Sequence, residues 1–338
     1  MKYFNNQNIL ITGGTGSFGK SFIKTILKIS KPKKVIIFSR DELKQYEMQS
    51  LKSFQSKKLR FLIGDVRDLE RLKLAMKDVN IVVHAAALKQ VPTAEYNPFE
   101  VVKTNVIGAQ NVIEAAYNSR VSKVIALSTD KAASPINLYG ATKLTSDKLF
   151  VSANNYTARF KTKFSVVRYG NVMNSRGSVL PLFISQSKNI NFFTITHKDM
   201  TRFNITLNEG VKFVCKCFER MIGGEIFIPK IPSFKVTDLA KAINDKMKHK
   251  LIGIRPGEKI HEEMLTATDS YNALEFSSYF LVYPQFKYGG WDIKKYLKKN
   301  KKQKFSIVNN GFIYSSDKNK KFLSIQELKK IIKNLPND

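Results

Sequence analysis

Short apolar runs alternate with helical patterns along the first half of the chain. Residues 8–12, 34–38, 59–63, 80–84, 123–127 and 164–169 read as strands. Each is too short for a helix and nearly continuous in Val, Ile, Leu and Phe, the pattern of a strand covered on both faces. The intervening segments carry apolar residues at helical spacing, such as Phe22, Ile23, Ile26 and Leu27. Strands alternating with helices predict an α/β fold: a Rossmann-like doubly wound parallel sheet with right-handed crossovers. Past Tyr169 the pattern loosens into polar, glycine-bearing loops. Helical stretches are expected over 207–221 and 235–249, a strand over 226–228 and a last helix over 325–332. The expected division is a Rossmann-like domain over 1–170, which also receives segments from about 204–232. A smaller α/β lobe covers mainly 171–283, and a C-terminal extension covers 284–338.

The fold class directs attention to the carboxyl ends of the strands, where ligands bind in such sheets. The first strand runs into Gly13-Gly14-Thr15-Gly16-Ser17-Phe18-Gly19 and then a helix. There, backbone N–H groups and a helix N-terminus meet a pyrophosphate. The second strand ends at Ser39-Arg40-Asp41-Glu42-Leu43-Lys44. Ser39, Arg40 and Lys44 suit the 2′-phosphate of NADP better than NAD, with Asp41 as the cap of the next helix. Asp65 and Val66 end the third strand, where an adenine would lie. Small residues Ala85 to Ala87 follow the fourth and border the nicotinamide ribose, while His84 reads as a core histidine.

The fifth strand ends in Ser128-Thr129-Asp130-Lys131, and a helix opens with Tyr139-Gly140-Ala141-Thr142-Lys143. Tyr139 and Lys143 share a helix face. An ammonium beside a phenol favours the phenolate, so the pair can move a proton to or from a substrate hydroxyl, which Thr129 can also hold. Y-x-x-x-K also occurs on solvated faces, and it is the convergence at strand ends that marks a site. Asp130, Lys131, Tyr139, Lys143 and Thr129 are the catalytic candidates. Lys89, Asn105, Asn171, Arg176, Arg202, Arg255 and Glu258 are the candidate substrate contacts, since arginines in loops suit a diphosphate. Thr104 and Asn105 read as a solvated helix face unless that helix packs near the Tyr–Lys pair.

Composition changes this picture little. The chain has 338 residues, 43% of them apolar, and a formal net charge of +30. Its lysines are spread along the whole length and no nucleic-acid motif accompanies them, so a lysine-rich solvated surface accounts for the charge. No apolar run is long enough to span a bilayer and no signal sequence is evident, so a cytoplasmic protein without membrane insertion is expected. Cys215 and Cys217 read as packing residues, and no metal site is expected.

On these segments, together with His84-Ala85-Ala86-Ala87-Leu88-Lys89-Gln90-Val91-Pro92, Arg168-Tyr169-Gly170-Asn171-Val172, Ser175-Arg176-Gly177-Ser178 and Arg255-Pro256-Gly257-Glu258-Lys259, the chain resembles the extended short-chain dehydrogenase/reductase family. Within it, the chain looks like the inverting UDP-N-acetylglucosamine 4,6-dehydratases that begin pseudaminic acid biosynthesis. The resemblance implies a UDP-sugar substrate, an NADP cofactor and a homo-oligomer. It also implies an internal redox cycle. Tyr139, made acidic by Lys143, takes the 4-hydroxyl proton while C4 passes hydride to NADP+; neutral Lys131 removes the C5 proton. Protonated Asp130 helps the 6-hydroxyl leave, hydride returns from the cofactor to C6, and reprotonation at C5 from the opposite face gives the inverted 4-keto-6-deoxy sugar. Lys131 is the discriminating residue, because retaining dehydratases carry glutamate there; Met173-Asn174 departs from the smaller residues of relatives. A nucleotide-sugar 4-epimerase, a non-catalytic NADP-binding regulator and a nucleic-acid binder are the competing readings.

Overall fold

The computed structural model describes residues 2–157, 161–174, 177–287, 290–301 and 303–335. Six parallel strands form its centre: β1 (Asn8–Thr12), β2 (Lys34–Ser39), β3 (Leu59–Ile63), β4 (Ile81–His84), β5 (Lys123–Thr129) and β6 (Lys163–Tyr169). Four later strands widen the sheet: β7 (Ile226–Pro229), β8 (Ala273–Phe276), β9 (Tyr279–Val282) and β10 (Phe305–Ile307). The order is β10-β8-β9-β7-β6-β5-β4-β1-β2-β3; β7 is parallel to β6, while β8, β9 and β10 pair antiparallel. The expected doubly wound parallel sheet is therefore present, with an antiparallel edge that the apolar runs did not announce.

Period-two alternation places the two cores. Leu10, Val82 and Val124 face one helix layer with Val112, Ile113 and Phe150, while Ile9, Ile11, Ile81 and Val83 face the other with Phe22, Ile26, Val214 and Phe218. Both cysteines are buried in the second layer, as packing residues. A third core around Phe183, Phe193, Leu239 and Leu328 joins the region of residues 179–243 to the last helix, Ile325–Lys333. It lies around a three-stranded sheet of Asn171–Val172, Thr201–Ile205 and Ser233–Lys235.

Two helices differ from the sequence pattern. The one expected over 235–249 stops at Val236–Ile243, because Asn244 turns extended and its Oδ1 accepts from the Lys246 N–H at 3.1 Å. Residues Lys248–Leu251 then form a strand beside Phe192–Ile195. The helix expected from Phe99 to about residue 119 is broken into Pro98–Val102, a π-helical turn Lys103–Ile107, and Gly108–Asn118. Such a turn holds one residue more than an α-helix and is a frequent marker of functional sites.

Candidate active site

The glycine turn after β1 is shaped for close approach of a ligand backbone. Gly13 sits at φ 66°, and a Cβ there would lie 3.0 Å from the Ala86 backbone. A Cβ on Gly19 would lie 2.4 Å from the Gly14 carbonyl oxygen, so helix Ser17–Ile29 packs against the turn only with glycine there. That helix has no side-chain cap at Gly16 and no acidic residue in its first turn. Its first N–H groups therefore point at an uncapped, positively polarised opening, the arrangement that binds a pyrophosphate. These residues fit a dinucleotide.

At the end of β2, Thr15 and Ser39 share a hydroxyl bond of 2.9 Å. Asp41 caps helix Glu42–Ser50 by accepting from the Lys44 N–H at 3.0 Å, as expected of it. The Lys44 ammonium bonds the same carboxylate, so it is not free to meet a phosphate here, and that hydrogen bond holds the Asp41 carboxyl below the usual range. Arg40 is the exposed cation left at this corner, 3.7 Å from Asp65, which Arg67 grips at 2.8 Å. Val66 is buried. After β4, the Ala85 N–H donates to the Thr12 backbone oxygen at 3.2 Å, and Ala87 is exposed. His84 is the core histidine expected: its Nδ1 lies 2.9 Å from Thr12 Oγ1, and burial, with Lys143 adding to it, pushes its pKa down to about 3.

The catalytic candidates converge where β5 meets helix Leu138–Tyr156. Asp130, 1% exposed, accepts on Oδ1 from Thr129 Oγ1 at 2.9 Å and from Lys131 Nζ at 3.2 Å. Its Oδ2 is buried with no partner. Burial pushes the Tyr139 phenol up to about 12, against the pull of the Lys131 charge and a hydrogen bond with Thr129. The cation acting on Tyr139 in this structure is thus Lys131. Lys143 instead donates to the Leu127 carbonyl at 2.8 Å, and burial holds it below lysine's ordinary value.

A second correction concerns Lys131. A neutral amine is expected for a base, yet Lys131 Nζ lies 3.2 Å from both Asp130 and Glu262. Burial works against its charge, but the two carboxylates outweigh burial and raise its pKa well above the ordinary value. Glu262, 2% exposed, was not singled out in the sequence. It follows the Arg255-Pro256-Gly257-Glu258-Lys259 segment, whose loop character gave no hint of a buried acid.

The substrate-side candidates divide. Asn171 Oδ1 is buried without a partner and so has a lone pair to offer. Lys89 stands close to Lys131: burial lowers its pKa, and the like charge adds to that. Arg255 is exposed, and Glu258 has a buried, unpartnered Oε2. Arg202 and Asn105, in contrast, are committed to the protein. Arg202 donates to the carbonyls of Thr201, Ile260 and Lys259 and to Glu258 Oε1. Asn105, on the π turn, exchanges two 2.9 Å bonds with the Leu88 backbone and donates to Thr142 at 3.1 Å. It fixes the loop after β4 to the Tyr139 helix and does not lie on a solvated face. Arg176 lies outside the described residues. The 255–263 segment closes over the site: Asn137, the cap of the Tyr139 helix, donates to the Gly257 carbonyl at 2.8 Å, and Lys259 Nζ to that of Ala133 at 2.7 Å. Behind β5 and β6, Arg168 bridges Asp147 at 3.2 Å and Asp269 at 2.9 Å, and Ser128 donates to Asp147 at 2.8 Å. Among the described residues no cluster of His, Cys, Asp and Glu is arranged to hold a metal ion.

A nucleotide cradle at β1 and a Tyr–Lys helix at β5, on this sheet, define an enzyme of the extended short-chain dehydrogenase/reductase class. The chain belongs to the polysaccharide biosynthesis protein family, whose pattern matches residues 9–284. It is 56% identical to the UDP-N-acetylglucosamine 4,6-dehydratase (inverting) of Campylobacter jejuni, over 97% of this chain and 98% of that one. It is also 43% identical to the UDP-glucose 4-epimerase of Rickettsia bellii, over 98% of this chain and 97% of that one. Among solved structures, Pen from Bacillus thuringiensis superposes with a TM-score of 0.88 at 39% identity, covering 98% of each chain. DesIV, a dTDP-glucose 4,6-dehydratase from Streptomyces venezuelae solved with NAD, shares the fold at a TM-score of 0.66 and 20% identity, covering 75% of this chain and 86% of that one. Among the described residues no helix is long and apolar enough to cross a membrane.

Proposed function

We propose that the protein is a hydro-lyase that dehydrates UDP-N-acetylglucosamine across C5 and C6 with inversion at C5, using NADP. The observation that carries this reading is the ion pair of half-buried Lys131 with buried Asp130, in contact at 3.2 Å beside Tyr139. The elimination needs a base at C5 and an acid at the 6-hydroxyl. One proton transfer supplies both: an Nζ–H bond of Lys131 breaks as an O–H bond of Asp130 forms, turning an ion pair into a neutral amine and a carboxylic acid. The ion pair is thus the resting state of the two groups, and a substrate that excludes water and separates the charges favours the neutral pair. Lys131 then takes the C5 proton, Asp130 gives its proton to the departing hydroxyl, and water leaves. The ammonium and carboxylate are restored.

Thr129 and Tyr139 hold the 4-hydroxyl, and Tyr139, as the phenolate, accepts its proton as the 4-ketone forms. A phenol pushed up to about 12 is a poor acid alone, so it needs positive charge at its side to give and take protons near neutrality. When bound at the β1 turn, the dinucleotide supplies the acceptor for hydride from C4 and the hydride returned to C6 once water has left, with a solvent-derived proton entering C5 from the opposite face. Arg40 supports NADP, as an exposed cation at the β2 end where a 2′-phosphate would lie. Glu258, Arg255 and Asn171 remain the candidates for the sugar and diphosphate.

The reading is tested by incubating the purified enzyme with UDP-N-acetylglucosamine in deuterated water without added reductant. The expected product is lighter by one water and carries one solvent deuterium at C5, with the inverted configuration by proton NMR; the dinucleotide released on denaturation has the mass of NADP. Recovery of substrate at unchanged mass excludes dehydration of this sugar. The relative named as a UDP-glucose 4-epimerase gives a second reading, for which the same experiment yields a C4 epimer that has lost no water.

A further inference from the structure

Lys131 is gripped from two places far apart in the chain. Asp130 holds it from its own turn at the end of β5, and Glu262 reaches it from the segment before strand Glu263–Leu265, each at 3.2 Å. Glu262 is itself fixed. Its backbone N–H donates to Ser316 Oγ at 2.9 Å and its carbonyl accepts from the Ser316 N–H at 2.8 Å. Oε1 is 3.8 Å from Arg202 Nε, and Oε2 is buried without a partner. A carboxylate this deeply buried is costly unless a cation answers it. Arg202 depends on it less, since Nη1 meets the carbonyls of Thr201 and Ile260 and Nη2 meets Glu258 at 3.3 Å and the Lys259 carbonyl, which leaves only Nε towards Glu262. The nearer cation that Glu262 answers is Lys131, at 3.2 Å.

We propose that Glu262 is a positioning residue for Lys131, whose buried carboxylate aims the amine at the substrate and sets whether that amine carries a proton. The chemical use of this clamp rests on the dehydratase reading above; the clamp itself does not. Around Lys131 stand Asp130 on its own turn, Tyr139 from the helix, Arg202 from strand Thr201–Ile205, Lys259 from the same segment as Glu262, and Lys89 after β4. Removing the charge of Glu262 leaves Asp130 as the one acidic partner against three cations, so the amine gives up its proton more readily. An opposite charge at this range moves a lysine by about one to three units. The neutral fraction at a given pH below the midpoint then rises about tenfold or more.

Competitive acetylation with a trace of acetic anhydride, read by mass spectrometry on the peptide bearing Lys131, measures that fraction without requiring turnover. In Glu262→Gln, labelling of Lys131 rises about tenfold or more over wild type, while exposed lysines elsewhere label as before. Glu262→Asp draws the carboxylate back by one methylene and gives a smaller rise in the same direction, which decides the matter should the glutamine variant not fold. The acid limb of C5 deuterium incorporation moves to lower pH by about one unit in Glu262→Gln. A folded variant whose Lys131 labels at the wild-type rate, with that limb unmoved, overturns the proposal, because a purely structural role lowers the melting temperature alone. If labelling responds as stated but the wild type yields no dehydrated product, the clamp stands and the dehydratase reading falls.

Discussion

Titratable side chains buried near the sheet's carboxyl edge tie the chemistry to stability. His84 is held neutral in the core, with its pKa pushed down to about 3. The unfolded chain binds a proton there below about pH 6.5 and the folded one does not. The stability gained from the neutral ring is therefore fully present above that pH and is lost as pH falls towards 3. Between pH 7 and pH 5 the loss attributable to His84 is about 2 kcal/mol, and in His84→Gln that part of the pH dependence disappears. Urea midpoints at the two pH values check it; equal slopes in both proteins would sink the assignment. Tyr139 runs in the opposite sense, since its neutral form is retained up to about pH 12 and the stability it contributes is lost only as pH rises from about 10 to that value. The catalytic candidates were legible as residue types because Tyr139, Lys143, Thr129 and Asp130 are close in sequence. Their charge states were not: the proton on Lys131 is held by Asp130 together with Glu262, a residue 131 positions away that no local pattern brings near.

At the scale of elements, the central parallel strands could be read from apolar runs because they are covered on both faces, and β1 and the more exposed edge strand β3 both fall where the runs place them. The glycine turn between β1 and the first long helix was equally legible, since its residues carry their own geometry. Gly13→Ala introduces a Cβ at φ 66°, 3.0 Å from the Ala86 backbone. It is expected to cost about 1–2 kcal/mol and to weaken dinucleotide binding more than it lowers the melting temperature. Fluorescence titration with NADP beside a thermal melt checks this, and undiminished affinity would remove the turn from the cofactor site. The π turn at Lys103–Ile107 was not legible. Residues 99–119 keep a helical apolar rhythm, and what breaks it is tertiary: Asn105 must face the Leu88 backbone and Thr142. The helix expected through residue 249 failed for a local reason, the competing side-chain bond of Asn244.

Across the whole molecule, the site is assembled by segments that meet late. The edge strands β8, β9 and β10 escaped the sequence reading because their short runs also suit a lobe or a loop, and only the pairing of β9 with β7, extended through β8 to β10, reveals them. Strand Glu263–Leu265 pairs with Tyr314–Ser315, and Ser316 fixes both backbone groups of Glu262. Ser316→Ala leaves the Glu262 N–H buried without its hydroxyl partner, at a cost of about 1–3 kcal/mol. C5 deuterium incorporation is expected to fall while dinucleotide affinity is unchanged; loss of both together would mean the two halves are not separable. That separation bears on how the protein comes into being. Strands β1 to β6 lie within residues 8–169 and carry the nucleotide cradle, whereas the clamp on Lys131 waits for residue 262 and its pin for residue 316. Since chains fold from the N-terminus as they emerge from the ribosome, the glycine turn of a growing polypeptide can be made well before Lys131 receives its second carboxylate.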